Sequence, residues 1–548
     1  MGQRRVRWLT LAVLFWGFWL VGAEVASAEP LASQTTRIYG SNRVETAIET
    51  SRTGWEQADT VLLARADDFP DSLVAVPLAH QLDAPILLTS SKKLDAAVLT
   101  ELERLGTKHV IILGGAGVMG EQISAPLEKV GLTWERIGGQ NRYETSAMVA
   151  DRVGGNGQAI LVSGENFPDA LAISPYAGVT ETPILLTSSK GMPTATTLEL
   201  EKLQAESWQN AGEGLSRILV VGGEGVIPDE TLAGITGVER IAGKNRYETA
   251  AEVYWFSSSV LNGDGVSAGG TANRAYVVTG ENFPDALVVG ALAAKQGVPL
   301  FMSAGNSLPA YTYSAMSSMG NGEGMIALVG GDKVLTPEVQ GTIEGTVQPS
   351  YLLAGKTIVV DPGHGGPDPG ARGASGTTWE KNNNLAVGLE LSSLLRSAGA
   401  NVILTRTTDV SPAGTDYSYG NSLPDLQARV DIANNAGADM YISIHNDSFT
   451  SPTAGGTTTY YSTDNLQAAG SQQLGQSIQQ EVSDQLGLLN RGVKTSGAYV
   501  VKYTTMPAVL VELGFISNPT EEQMLSSPDY QKKAAMGIYR GILSYVGY

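Results

Sequence analysis

Short apolar runs alternate with amphipathic stretches along most of the chain. Over residues 41–113 the pattern predicts a helix at 41–53, a strand at 60–64 and a helix at 70–82. A strand at 86–89, a helix at 93–105 and a strand at 109–113 follow. The strands are continuous apolar runs, as expected of a sheet covered on both faces, and their alternation with helices favours parallel pairing. Pro70 falls in the first turn of its helix, where a missing N–H costs little.

The same pattern returns twice. Arg37-Ile-Tyr-Gly-Ser-Asn-Arg-Val-Glu-Thr46 recurs from Arg136 and from Arg240, at offsets of 99 and 104 residues. Phe69-Pro70-Asp71 matches Phe167-Pro168-Asp169 and Phe283-Pro284-Asp285, and Gly114-Gly115 matches Gly222-Gly223 and Gly330-Gly331. A period near 100 is too long for a solenoid unit, so each copy reads as a small Rossmann-like α/β module. Their limits are 37–135, 136–239 and 240–346. A short Gly/Pro/Ser-bearing link at 344–355 leads to a different unit over 355–548.

Arg4, Arg5 and Arg7 precede an apolar run from Trp8 to Ala23 and then Ala26-Ser27-Ala28. This order reads as a secretory signal over 1–28, with the mature chain beginning near Glu29. No second apolar stretch of about 20 residues follows, so no stable membrane insertion is expected after cleavage. The 548 residues contain 36 Lys+Arg and 55 Asp+Glu, a net charge of −19. That balance lacks the basic footprint of a nucleic-acid binder. There is no Cys, so any metal must rest on the four His and on carboxylates.

The repeats offer little chemistry. The Gly-Gly pairs lack a phosphate-loop pattern and read as tight strand-to-helix turns. Asp71, Asp169 and Asp285 open a helix, as caps or as ligands. Arg43, Arg142 and Arg246 could bind an anion or pair with a nearby Glu. His80 and His109 have no partner His in their repeat and read as structural. Three linked modules without a nucleophile suit multivalent binding. Their Arg-Ile-x-Gly-x-Asn-Arg-x-Glu-Thr start, Phe-Pro-Asp box and Gly-Gly turn resemble the type 2 cell-wall-binding repeat. The resemblance implies three modules about a pseudo-threefold axis, holding a Gram-positive type of surface protein to an anionic wall polymer. Yet residues 29–350 carry 21 Lys+Arg against 37 Asp+Glu, so a local basic groove or bridging cations would be needed.

In the C-terminal unit, 357–360 reads as a strand running into Asp361-Pro-Gly-His364-Gly-Gly-Pro-Asp-Pro-Gly-Ala371. Glu380 precedes a helical pattern at 383–397. Strands at 440–444 and 507–511 end in His445 and Glu512. Two His and two Glu at strand or helix ends fit a hydrolytic zinc site, with three protein ligands, one open position and a proton-carrying carboxylate. With Ser443-Ile-His445 and Leu510-Val-Glu512-Leu-Gly-Phe-Ile-Ser-Asn518, these motifs resemble the type 3 N-acetylmuramoyl-L-alanine amidases over the whole unit. The resemblance implies a mostly parallel central sheet, a zinc ion (Zn2+) on His364, Glu380 and His445, and Glu512 as catalytic acid/base. Glu390 is the fallback ligand, and Arg429, in a helix at 423–434, is read as structural. Asp447 stands where the family usually has Asn.

The whole then reads as a secreted, wall-associated autolysin cleaving peptidoglycan between N-acetylmuramic acid and L-alanine. Two rivals stay open: a non-catalytic adhesin or surface-layer protein with a retained fold, and a zinc peptidase acting on the stem peptide.

Overall fold

The computed structural model describes residues 30–32, 34–69, 71–211, 214–261, 274–319, 325–347, 349–414 and 422–548. The expected signal segment, the start near Glu29 and Pro70 lie outside them. Among the described residues no helix is long and apolar enough to cross a membrane.

The repeat region forms three four-stranded parallel sheets, each flanked by helices. In the first, strands Thr60–Arg65, Ile86–Thr89 and His109–Leu113 fall where the apolar runs place them. A fourth strand, Thr133–Ile137, joins the edge of that sheet beside His109–Leu113. It carries the Arg136-Ile motif that opens the second sequence repeat, so the repeats and the sheets are out of phase by one strand. Val238–Ile241 likewise completes the second sheet. The N-terminal strand Gln34–Ile38 pairs with Met325–Val329 of the third sheet, which closes the three modules into a ring.

The motif's residue types follow from this geometry. Asn42, Asn141 and Asn245 each accept hydrogen bonds from two backbone N–H groups of the next helical turn. Glu45, Glu144 and Glu248 reach back to the N–H of Ser41, Gln140 and Lys244, completing a reciprocal cap. Arg37, Arg136 and Arg240 donate to the carbonyls of Gly330, Gly114 and Gly222. Those glycines have φ of 118°, 107° and 124°, and a Cβ on any of them would press on Asp285, Asp71 or Asp169. The Gly-Gly pairs are thus turns.

Phe69, Phe167 and Phe283 meet edge to face, with ring centroids 5.5–6.2 Å apart, one from each module. Asp169 and Asp285 open their helices in the first turn, as expected, without making a capping bond, and Asp71 lies in a turn. Instead Arg43 faces Asp285, Arg142 faces Asp71 and Arg246 faces Asp169, each across a module boundary. Burial pushes Asp169 and Asp285 up to about 6 despite these cations. The first box also departs from the expected helix: residues 71–74 form turns, and the helix is only Val76–Gln81. There the Ser72 amide and hydroxyl both bond to the Phe69 carbonyl, tightening the chain before Pro77.

The C-terminal unit is one six-stranded sheet. Thr357–Pro362, Asn401–Leu404, Met440–Asp447 and Ala508–Phe515 run parallel; Thr457–Tyr461 is antiparallel to Ala508–Phe515 and leads to the edge strand Asn490–Thr495. Helices Glu380–Ser397, Ala468–Leu486 and Pro528–Tyr545 cover one face. The last of these also meets the third module, where Trp255 packs edge-on against Tyr539 and Glu252 pairs with Arg540.

Candidate metal centre

His364, Glu380 and His445 converge at the C-terminal end of the parallel strands. One potential ligand atom from each lies within 4.8 Å of the others. His364 follows strand Thr357–Pro362 and takes φ of 64°, a left-handed conformation costly for a side-chain-bearing residue. Strain of this kind persists only where the surroundings over-determine it, and here they do. Arg406 donates to the carbonyls of Pro362 (2.8 Å) and Gly363 (2.9 Å), and Arg429 to that of His364 (2.7 Å). Arg429 is fixed in turn by Asp425 and Asp361. The buried Asp361 also accepts from Thr405, Tyr441 and Ser443, and these partners hold its carboxyl low despite burial. Burial lowers Arg406 to about 10, still charged at neutral pH.

Glu380 is the first residue of its helix rather than lying ahead of it, and is 4% exposed. Its Oε2 accepts the Ala371 N–H (2.8 Å) and lies 3.1 Å from His364 Nε2. Its Oε1 accepts the Asn446 N–H (3.1 Å) and lies 2.9 Å from His445 Nδ1. Two glycines make room for this approach. A Cβ on Gly363 would sit 2.2 Å from the His445 ring, and one on Gly370 would sit 2.7 Å from Glu380 and His364.

The donor chemistry fits a divalent cation. His364 Nδ1 is 2.8 Å from Asp368 Oδ2. A carboxylate there fixes the tautomer with the hydrogen on Nδ1 and leaves the Nε2 lone pair for a metal. Burial would push the imidazole down, yet the bonds to Asp368 and Glu380 take it up to about 10. Burial likewise opposes charge on Glu380, but the two imidazoles hold it well below the usual carboxylate range. The pocket therefore favours positive charge at its centre.

Glu512 is the direct cross-strand partner of His445. Its Oε2 is sealed from solvent without a hydrogen-bond partner, and burial, with Glu380 and Asp447 adding to it, pushes the carboxyl well up. Asp447 ends the same strand as His445; burial raises its carboxyl, and it accepts the Ser448 N–H at 2.8 Å. The four candidate residues thus come together. The fallback does not join them: Glu390 lines a cleft of about 1000 Å³ between the C-terminal unit and the repeats, with Trp255 and Lys532. His80 lies 3.9 Å from Glu181, and His109 bonds to Thr133, both within the repeats. Sequence reasoning missed Asp368, Arg406 and the role of Asp361. The acids stand inside the quoted Asp-Pro-Gly-His motif, whereas Arg406 has no local signature.

Residues 358–544 match the family model for N-acetylmuramoyl-L-alanine amidase, and residues 37–124, 136–232 and 240–340 match cell wall binding domain 2. The chain is 34% identical over 509 residues to the N-acetylmuramoyl-L-alanine amidase LytC of Bacillus subtilis, covering 93% of this chain and 94% of that protein. It is 39% identical over 199 residues to the germination-specific N-acetylmuramoyl-L-alanine amidase of the same organism, covering 36% of this chain and 82% of that one. Among solved structures, Cwp6 from Clostridium difficile aligns with a TM-score of 0.51 at 26% identity, over 94% of this chain and 80% of that one. With the converging His–Glu–His set and the ring of modules ahead of it, this chain belongs to the N-acetylmuramoyl-L-alanine amidase family and carries three cell-wall-binding repeats.

Proposed function

We propose that the protein is a secreted, wall-associated peptidoglycan hydrolase of autolysin type. It hydrolyses the amide between the lactyl group of N-acetylmuramic acid and L-alanine, while its three modules hold an anionic wall polymer. The observation that carries the reading is the unpartnered Glu512 carboxyl beside the His364–Glu380–His445 set. The proposed domain limits are 1–28 for the signal, 37–135, 136–239 and 240–346 for the sequence repeats, and 355–548 for the catalytic unit.

His364, Glu380 and His445 would hold a zinc ion, which supplies a water acidic enough to attack near neutral pH and polarises the amide carbonyl. The chain's own residues do the rest. Asp368 keeps His364 in the ligating tautomer. Arg406 and Arg429 hold the strained loop that presents it. Glu512 takes the proton from the attacking water and passes it to the L-alanine nitrogen as the carbon–nitrogen bond breaks, leaving a lactyl carboxylate and a free amine. The modules raise the local concentration of substrate.

The test is incubation of mature protein with Gram-positive walls, with and without chelator, beside Glu512→Gln. New L-alanine amino termini that vanish with chelator and in the variant support the reading. Termini of another residue identify a peptidase. Tight wall binding with no new termini after zinc addition identifies the adhesin.

A further inference from the structure

The sheet continues past Glu512 toward an edge that the mechanism does not use. Thr458 is the antiparallel cross-strand partner of Glu512, so the two side chains share one face of the sheet. Thr458 is 0% exposed, and its Oγ1 lies toward the Tyr460 hydroxyl. The sealed, unpartnered Glu512 Oε2 thus has the Thr458 hydroxyl on the neighbouring strand beside it. A buried polar atom without a partner is costly unless something arriving later satisfies it.

Beyond Thr458 lies the edge strand Asn490–Thr495. Its register shifts across Arg491–Gly492, opposite Thr458, and Lys494 then pairs with Tyr460. The Arg491 guanidinium lies 5.1 Å from the centre of the Phe515 ring, and Phe515 is the cross-strand partner of Asp447. One N–H of Arg491 donates to the Gly455 carbonyl at 3.1 Å. The exposed Lys494 ammonium makes no hydrogen bond or close ion pair among the described residues. Arg491 and Lys494 thus place two cations on the edge strand, two strands from Glu512.

We propose that Arg491 and Lys494 form a carboxylate-recognition subsite on the peptide side of the scissile amide, with Thr458 as a polar contact on the way to it. The preferred substrate then carries a free carboxylate on the residue that follows L-alanine. This rests on the amidase reading above. The reach is suitable: the edge strand lies about 10 Å from that of Glu512, at about 4.8 Å per strand spacing. An extended peptide advances about 3.5 Å per residue, and long Arg and Lys side chains cover the remainder. An Arg fork matches a carboxylate, and Lys adds a point charge.

The experiment uses two N-acetylmuramoyl peptides that differ only in the second residue, free D-glutamate or its α-carboxamide. Affinity is measured by calorimetry on zinc-loaded Glu512→Gln protein, so that cleavage does not interfere. The acid should bind about tenfold tighter than the amide. Arg491→Gln with Lys494→Gln should bring the acid close to the amide's affinity, while Lys494→Arg should keep the preference. Equal affinity for both ligands in the Glu512→Gln parent overturns the proposal, and so does a double variant that weakens both alike. Lys494→Gln alone, at an exposed position, repeats the comparison if the double variant fails to fold. New amino termini formed by the protein with Glu512 intact report the amidase reading separately, so the two ideas fail independently.

Discussion

Removing the Asp368 carboxylate, as in Asp368→Ala, tests whether the centre is tuned for a metal. Asp368 Oδ2 is 2.8 Å from His364 Nδ1, and its Oδ1 accepts the Gly370 N–H at 3.1 Å. Asp368 is half-buried, so the fold itself should lose little. Without it the imidazole can move its hydrogen to Nε2, the atom 3.1 Å from Glu380 Oε2. The ligating lone pair is then spent on the wrong side. Outer carboxylates of this kind change metal affinity by about 10- to 100-fold, which corresponds to about 1.4–2.8 kcal/mol. Competition with a chromophoric chelator measures the zinc affinity, and thermal melting of the metal-free protein measures the fold. A weakened zinc complex with an unchanged metal-free melt supports the argument. An unchanged affinity refutes it, and a collapse of the metal-free melt shows Asp368 to be a folding residue instead.

Three further outcomes are expected. Glu512→Gln keeps the size of the side chain but cannot carry a proton, so amide cleavage should fall by about 10²–10⁴-fold with zinc content unchanged, read by metal analysis beside product release. Burial raises the Asp285 carboxyl from its ordinary 3.8 to about 6. Its contribution is therefore most favourable below the unfolded value and is lost as pH rises toward 6. Asp285→Asn should match the parent near pH 4 and exceed it by about 1–3 kcal/mol near pH 7 in denaturant unfolding; a variant less stable at pH 7 would show that the Arg43 pair outweighs burial. Deleting residues 34–38 removes an edge strand and the Arg37 bonds to Gly330 and Leu335. It should destabilise the third module by about 3 kcal/mol, seen as an earlier calorimetric transition; an unchanged trace would mean that ring closure adds nothing.

Much of the site was legible because its residues sit at element ends that announce themselves. His445 and Glu512 come in sequence with apolar strands, and their pairing across adjacent strands follows from parallel register. His364 stands in a glycine-rich turn whose glycines are needed for close approach. What could not be read was partnership over long separations. Arg406 and Arg429 clamp one loop from 43–44 and 65–67 residues away, and neither has a local pattern that names its target.

Local periodicity and short motifs encode the three modules, the α/β alternation and the identity of four converging side chains. How the repeats connect is visible only in three dimensions. The strand that opens each sequence repeat completes another module's sheet, and the first of them closes the ring. The fold also sets the repeated Arg and Asp facing one another across module boundaries near three Phe rings. The physical reason is that backbone pairing and charge contact depend on which surfaces meet in space, and a repeat read alone is the same whether its neighbours stack in a line or close on themselves.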